Sequence, residues 1–194
     1  MTSGPGGPAD NDPVRTFRPV DPGSRPRRRR RTTRVLLVDD VGRLLLFSDS
    51  DPGLPGSHWW ITPGGGVEPG ESDREGAVRE VAEETGLRVP ETSLVGPLAE
   101  REVVHGYTDV VVSQHEVFFG LVAPAFEVDV SGHTEEERLT MTRHRWWTRD
   151  ELASTDETVW PESLLELWSA MERGDDFFDL GRQEESTVPV ETVP

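Results

Sequence analysis

Apolar residues along this chain fall into short blocks, and the spacing inside each block separates strands from helices. The runs RVLLVD, Arg34 to Asp39, and RLLLF, Arg43 to Phe47, read as two strands joined by a turn over Asp40 to Gly42. Further strands are expected at Trp59 to Thr62, Leu94 to Val104, Asp109 to Ser113, His115 to Val122 and Arg143 to Trp147. Helical signals occur in three places. The first helix opens on Ser72 with Glu75 three residues later, a capping box, and stops at Gly86, a residue suited to a left-handed terminus. The second, short, opens on Thr148 with Glu151 in the same relation. The third follows Trp160-Pro161 and runs from Glu162 to Glu172, with Leu164, Leu165, Leu167, Trp168 and Met171 as its apolar stripe. Strands on both sides of one central helix, with another helix late in the chain, make the fold class mixed α/β. There is no internal repeat.

Composition divides these 194 residues into three parts. Residues 1 to 31, rich in Gly, Pro, Ser, Asp and Arg and ending in RPRRRRR, are short of large apolar side chains and are expected to form a flexible arm. Residues 32 to 175 carry the periodic elements and suffice for one domain with a sizeable core. Residues 176 to 194 are expected to be a disordered tail. The net charge of −17 is unevenly spread: nine arginines against three acids give residues 1 to 34 a net +6, which leaves −23 for the rest. So acidic a body repels nucleic acid unless the basic segment or metal ions intervene.

Every basic residue is arginine, and there is no cysteine. The missing cysteines exclude disulfides, thiol nucleophiles and thiolate metal sites. The histidines, at 58, 105, 115, 133 and 144, lack the close pairing of helical zinc motifs, so a metal here would be a hard cation on oxygen ligands. No apolar run approaches the roughly 18 residues of a membrane span, and the basic N-terminal stretch lacks the apolar centre of a targeting peptide, so a cytoplasmic location without membrane contact is expected.

Two stretches carry chemistry. REVAEETGL, Arg79 to Leu87, puts Val78, Val81, Ala82 and Thr85 on one helix face and gathers Glu80, Glu83 and Glu84 opposite, which alone describes any solvated helix. Upstream, WWITPGGGVEPGES, Trp59 to Ser72, places Gly64, Gly65 and Gly66 after a strand, where backbone can approach something closely. It has neither the GK[ST] of a Walker loop nor a GxGxxG.

Read together, Gly65, Glu71 and the run Arg79-Glu80-Val81-Ala82-Glu83-Glu84-Thr85-Gly86-Leu87 resemble the signature of the Nudix hydrolases at every fixed position. Chance agreement at those offsets is about 10⁻⁸ per starting point. The likeness is densest over residues 59 to 87 and looser over about 32 to 170. It implies a Nudix-type α/β/α sandwich, a mixed sheet flanked by helices. It also implies that Glu80, Glu83 and Glu84 bind divalent cations, Mg²⁺ with Mn²⁺ as substitute, that one of them takes the proton of the attacking water, and that a backbone carbonyl near Gly64 joins the ligand set. By the same resemblance Glu71 and Arg79 hold loop against helix, so that Arg79 serves catalysis by placing the glutamates.

The chemistry suits the residue types. Anionic oxygens shield phosphorus in a pyrophosphate; Mg²⁺ offsets that charge and accepts carboxylates while keeping waters and substrate phosphates. Offsets of zero, three and four put the three glutamates within reach of one cluster, whose mutual repulsion bound cations relieve. A further carboxylate is expected from GHTEEERL, Gly132 to Leu139, with Glu137 the chosen ligand. For the substrate, one Trp of each pair, Trp59-Trp60 and Trp146-Trp147, should enter the core while the other lines a cleft; Trp59, Trp147 and Tyr107 are the candidates for stacking on a base.

No subfamily follows, since Val103 stands about sixteen residues after the signature, where some subfamilies carry Pro or Tyr, and Tyr107 comes too late. The expected reaction is Mg²⁺-dependent hydrolysis of a nucleoside diphosphate linked to another moiety. The alternatives are a nucleotide-sensing module without turnover, against which the full set of acids argues, and an RNA 5′-end pyrophosphohydrolase brought to RNA by the arginine arm. An isomerase of the isopentenyl diphosphate type relies on a cysteine that is missing here. Domains of this family often pair, which leaves a homodimer open.

Overall fold

The computed structural model describes residues 15 to 190. The elements are β1 (Arg27–Asp39), β2 (Leu44–Asp49), β3 (Trp59–Ile61), α1 (Asp73–Thr85), β4 (Val95–Gly106), β5 (Val111–Ala123), α2 (Glu135–Thr140), β6 (Arg143–Trp147), α3 (Arg149–Ser154), β7 (Val159–Trp160), α4 (Leu164–Arg173) and β8 (Phe178–Glu184). One mixed sheet runs in the order β7-β3-β2-β1-β5-β4-β8, with β6 pairing to β2. Among the described residues no helix is long and apolar enough to cross a membrane.

β1 explains the layering. Its run VLLV is buried on both faces: Val35 and Leu37 pack with Ala77 and Val81 of α1, while Leu36 and Val38 pack with Trp147 of β6 and with Leu164, Leu167 and Trp168 of α4. A continuous apolar strand is what a sheet covered on both sides requires. The fold is therefore the expected α/β/α sandwich, with β1 in the middle of its sheet. β1 pairs in parallel with β5 from Arg27↔Val111 to Asp39↔Ala123. At its C-terminal end it turns antiparallel into β2, Val38 opposite Leu44.

Several boundaries differ from the sequence expectation. Arg27 to Arg31, assigned to a flexible arm, are the start of β1, and their partners are Val111 to His115. Guanidinium groups do not prevent a strand when the backbone has a partner and the side chains reach solvent or a cleft. The C-terminal segment, expected to be disordered, forms β8, parallel to β4 with Ala99 opposite Phe178 and Val103 opposite Gln183. Arg25 Nη1 donates to the carbonyls of Tyr107 (2.8 Å) and Val188 (3.1 Å), joining the two outer segments. Residues 1 to 14 of the expected arm and 191 to 194 of the expected tail lie outside the described residues. The strands expected at Asp109 to Ser113 and His115 to Val122 are one strand, β5, because the polar Gln114 at the apparent break is itself buried and paired. GHTEEERL, for which no helix is expected from the sequence, contains α2, capped by Thr134 and Glu137 in a box of the same kind as Ser72 and Glu75.

Candidate active site

The glycine loop is fixed before any side chain acts. Thr33 N–H donates to Gly65 O (2.9 Å), Val35 N–H to Pro63 O (2.8 Å) and Val67 N–H to Arg31 O (3.0 Å), so residues 63 to 67 run along β1 as an irregular strand. Gly64 has φ +135°, and a Cβ there would collide with the carbonyl of Thr33. A Cβ on Gly65 would stand 2.7 Å from the carboxylate of Glu80. Gly64 therefore requires glycine, for backbone geometry and contact, while Gly65 leaves room for the carboxylate of Glu80 to lie against the loop.

α1 begins at Ser72, whose hydroxyl accepts from Glu75 N–H while Glu75 returns the bond to Ser72 N–H, and ends at Gly86 with φ 75°. Its buried face is not the one the wheel suggests. Gly76, Ala77, Glu80, Val81, Glu84 and Thr85 are buried, so two of the three glutamates belong to the inner face, while Glu83 is exposed. Spacing of four puts Glu80 and Glu84 one above the other beneath the glycine loop. Glu84 Oε2 accepts from Gly64 N–H at 2.8 Å, which ties helix to loop.

Arg79 makes the second tie. Nε and Nη2 form a fork on Glu71 (2.8 and 3.0 Å), Nη2 also donates to Gly66 O (2.7 Å), and Nη1 donates to Glu80 Oε1 (2.9 Å) and Glu83 Oε2 (3.0 Å). A planar guanidinium can meet the loop carbonyl and three carboxylates at once. The bond from Glu71 is the main reason that the Arg79 pKa is raised, and the same bond pulls Glu71 below the usual carboxylate range.

The opposite wall comes from the segment after β5. The turn Val130–Gly132 lies against the end of α1, so closely that a Cβ on Gly132 would collide with the carbonyl of Glu83. His133 Nε2 lies 3.2 Å from Glu84 O, and its ring meets Phe47 edge-on at 5.6 Å. α2 then swings Glu137 over the cleft, where it caps its own helix by accepting from Thr134 N–H at 2.7 Å.

The result is a trio. Glu80, Glu84 and Glu137 each offer a carboxylate oxygen within 4.8 Å of the others. Burial raises the pKa of Glu80 and, further, that of Glu84, to which the neighbouring charges of Glu80 and Glu137 add. Unshared acids of this kind are disfavoured unless a cation answers them, and a compact set of oxygen donors suits a hard divalent ion. Glu83, placed by its spacing in the same set, is not in the trio; it stands half-exposed at the rim, linked to Glu80 through Arg79 Nη1. Gly64 O, expected among the ligands, accepts from Arg34 Nη1 at 3.0 Å.

The trio opens into a cleft of 240 Å³ lined by both signs of charge. Asp49, Glu80, Glu84, Glu136 and Glu137 share it with Arg15, Arg28, Arg30 and Arg34. Tyr107 also lines this cleft. The two tryptophans do not. Trp59 is buried in an aromatic group, its ring 4.9 Å from Trp160 and 6.0 Å from Tyr107. Trp147 is buried in the core, its ring edge-on to Trp60 at 5.1 Å. Both members of the first pair are inside because β3 lies between β2 and β7 and both its faces are covered.

Arg34 was not singled out by sequence, and it is central. Its Nε donates to Glu116 Oε1 (3.1 Å), and Glu116 Oε2 accepts from Arg101 Nε (2.8 Å), whose Nη2 reaches Glu185 (2.9 Å). Burial pushes the Glu116 carboxyl up, but Arg34 and Arg101 outweigh it and hold the pKa at about 2. The signal available in sequence was the placement of Arg34 as the last charge before VLLV, on the strand along which the loop runs.

A family model for the NUDIX domain matches residues 28–168. The chain is 32% identical over 131 residues to a MutT-like protein of Streptomyces ambofaciens, a match that covers 68% of this chain and 71% of that one. A shorter match, 38% identical over 66 residues, covers 34% of this chain and 39% of an RNA pyrophosphohydrolase of Dinoroseobacter shibae. Among solved structures, a mutator MutT protein of Bacillus halodurans superposes with a TM-score of 0.55 over 78% of this chain and 89% of that chain; at 21% identity this is a likeness of fold.

Proposed function

The chain belongs to the Nudix family of hydrolases, and from that premise we propose that it cleaves the pyrophosphate bond of a nucleoside diphosphate linked to a further group, with Mg²⁺ or Mn²⁺ held by Glu80, Glu84 and Glu137. The observation that carries this reading is the trio of carboxylates within 4.8 Å, two of them buried beneath the glycine loop. When bound, the cation supplies the positive charge that lets a nucleophile approach an anionic phosphorus. The protein's own residues do the rest. Arg79 keeps helix and loop at the spacing that aligns the carboxylates, and Gly64 O, steadied by Arg34, faces the same site. Glu83, the exposed carboxylate at the rim, takes the proton of the attacking water. Tyr107 lines the cleft with its ring under the Arg15 guanidinium, 4.3 Å from the centroid, and stacked on His105, so it shapes the pocket beside the substrate.

The test is a panel of nucleotide substrates with Mg²⁺ or Mn²⁺, read by product identity, on the wild type and on Glu83→Gln and Glu84→Gln. Both variants are expected to fold and to lose most turnover; wild-type rates in both would defeat the assignment. The Dinoroseobacter relative and the arginines of β1 support a second reading, in which the substrate is an RNA 5′ end. Triphosphorylated RNA in the same panel decides between them.

A further inference from the structure

The arginines that line the cleft are not equivalent. Arg15 is answered by Asp109 (2.9 Å) and Asp51 (3.4 Å), and Arg34 by Glu116 (3.1 Å). Arg30 is different. Its cross-strand neighbour is Gln114, whose amide is satisfied when its nitrogen donates to Glu116 Oε1 (2.9 Å) and its oxygen accepts from Arg30 Nε (3.2 Å) and Nη2 (2.9 Å). Gln114 is buried and Glu116 fully so, which makes this a fixed mount for an exposed guanidinium. A neutral amide orients the cation without cancelling its charge, and the mount itself is anchored in the ion pairs that steady Gly64.

We propose that Arg30, presented by Gln114, binds an anionic group of the substrate beyond the scissile pyrophosphate. The enzyme then selects phosphate chains with at least one unit more than the two that react, over diphosphates joined to a neutral sugar. This deepens the hydrolase reading above and rests on it. The physical reason is the charge balance of the cleft. Cations at the carboxylate trio would answer the reacting phosphates, and Arg30, which lines the same cleft and is held by a neutral amide, keeps its charge for a further anion. A planar guanidinium held by one edge still presents nitrogens for a phosphate. A nucleoside triphosphate, a dinucleoside tetraphosphate and a 5′-triphosphorylated oligoribonucleotide all carry this chemistry, and comparison among them identifies the source.

The experiment compares wild type, Arg30→Gln and Arg30→Lys. Steady-state rates are measured on those three substrates and on ADP-ribose, whose two phosphates are flanked by sugars. Calorimetric binding of a methylene-bridged nucleoside triphosphate in Mg²⁺ is measured alongside. In Arg30→Gln the ratio of kcat/KM for the triphosphate to that for ADP-ribose is expected to fall about tenfold, mainly through KM, the size of one charge-assisted hydrogen bond. The analogue's Kd is expected to weaken by a similar factor, less so at high salt, and Arg30→Lys to recover part of both. An unchanged ratio and an unchanged Kd, in an enzyme that turns over, would overturn the role of Arg30 and leave the hydrolase assignment standing. Weakened analogue binding in Arg30→Gln, with no substrate hydrolysed by the wild type, would uphold Arg30 as an anion site and reject the hydrolase assignment.

Discussion

Gly65 and Glu80 are in contact across the loop and the helix: a Cβ at position 65 would stand 2.7 Å from the carboxylate. The atoms it would meet are the far end of a side chain that can turn, and the Gly65 φ lies outside the left-handed region, so alanine there is cheap for the fold. It is not cheap for the trio. Gly65→Ala is expected to melt near the wild type but to lose about 100-fold in kcat, the scale of an ångström's misplacement of a reacting group. A thermal melt and a turnover assay on one sample decide it; full activity would show that Glu80 is free to move without consequence.

Three acids beside one another cost stability that only a cation returns. Without divalent ions, Glu84→Gln removes one buried charge while its amide oxygen still accepts from Gly64 N–H. The variant is therefore expected to be more stable than the wild type in EDTA, by about 2–4 °C for each kcal/mol recovered. Adding Mg²⁺ should raise the melting temperature of the wild type and hardly that of Glu84→Gln. The check is differential scanning fluorimetry across a Mg²⁺ titration, and equal responses in both proteins would argue against a cation at the trio.

Acid should unfold the protein in two stages. His105 is buried, with Nδ1 2.9 Å from Glu185 O and Nε2 without a partner. Burial lowers its pKa from 6.5 to about 4, with Glu116 opposing. Between those values the unfolded chain takes up a proton that the folded one refuses, so stability is complete above pH 6.5 and drains away towards pH 4. Glu116, held at about 2 against 4.5, adds a loss that begins as pH falls below 4.5 and continues to 2. His105→Gln is expected to flatten the first stage alone, as read from urea midpoints at steps of pH. An unchanged slope between pH 6.5 and 4 would mean that the imidazole is charged in the native state.

Much of this was legible in the chain. The capping box at Ser72 and Glu75 and the stop at Gly86 locate α1 within a residue of where it lies, because caps act through nearest neighbours. The spacing of Gly65, Glu71 and Arg79 likewise points to the loop and helix that meet. What stayed hidden depends on distant partners. The arginines of β1 look like a solvated arm until β5 supplies hydrogen bonds, and Phe178 to Glu184 look unstructured until β4 does. Helical periodicity put Glu80 and Glu84 outside because it assumes that acids face water, whereas here they face a backbone thinned to glycine. The first tryptophan pair misled for a related reason: alternation predicts one inside and one outside only when a sheet has a bare face, and Trp59 and Trp60 are both buried.

Glu185 does not line the cleft, yet three ion pairs, through Arg101 and Glu116, lead from it to Arg34 and so to the peptide oxygen of Gly64. Loss of that single acid would leave the Arg101 guanidinium to Glu116 and Gln183 alone, and the disturbance would arrive at the reaction centre along a relay of alternating charge. The residue just past the last strand is a tensioning stay: remote from the chemistry in sequence, it keeps the loop taut.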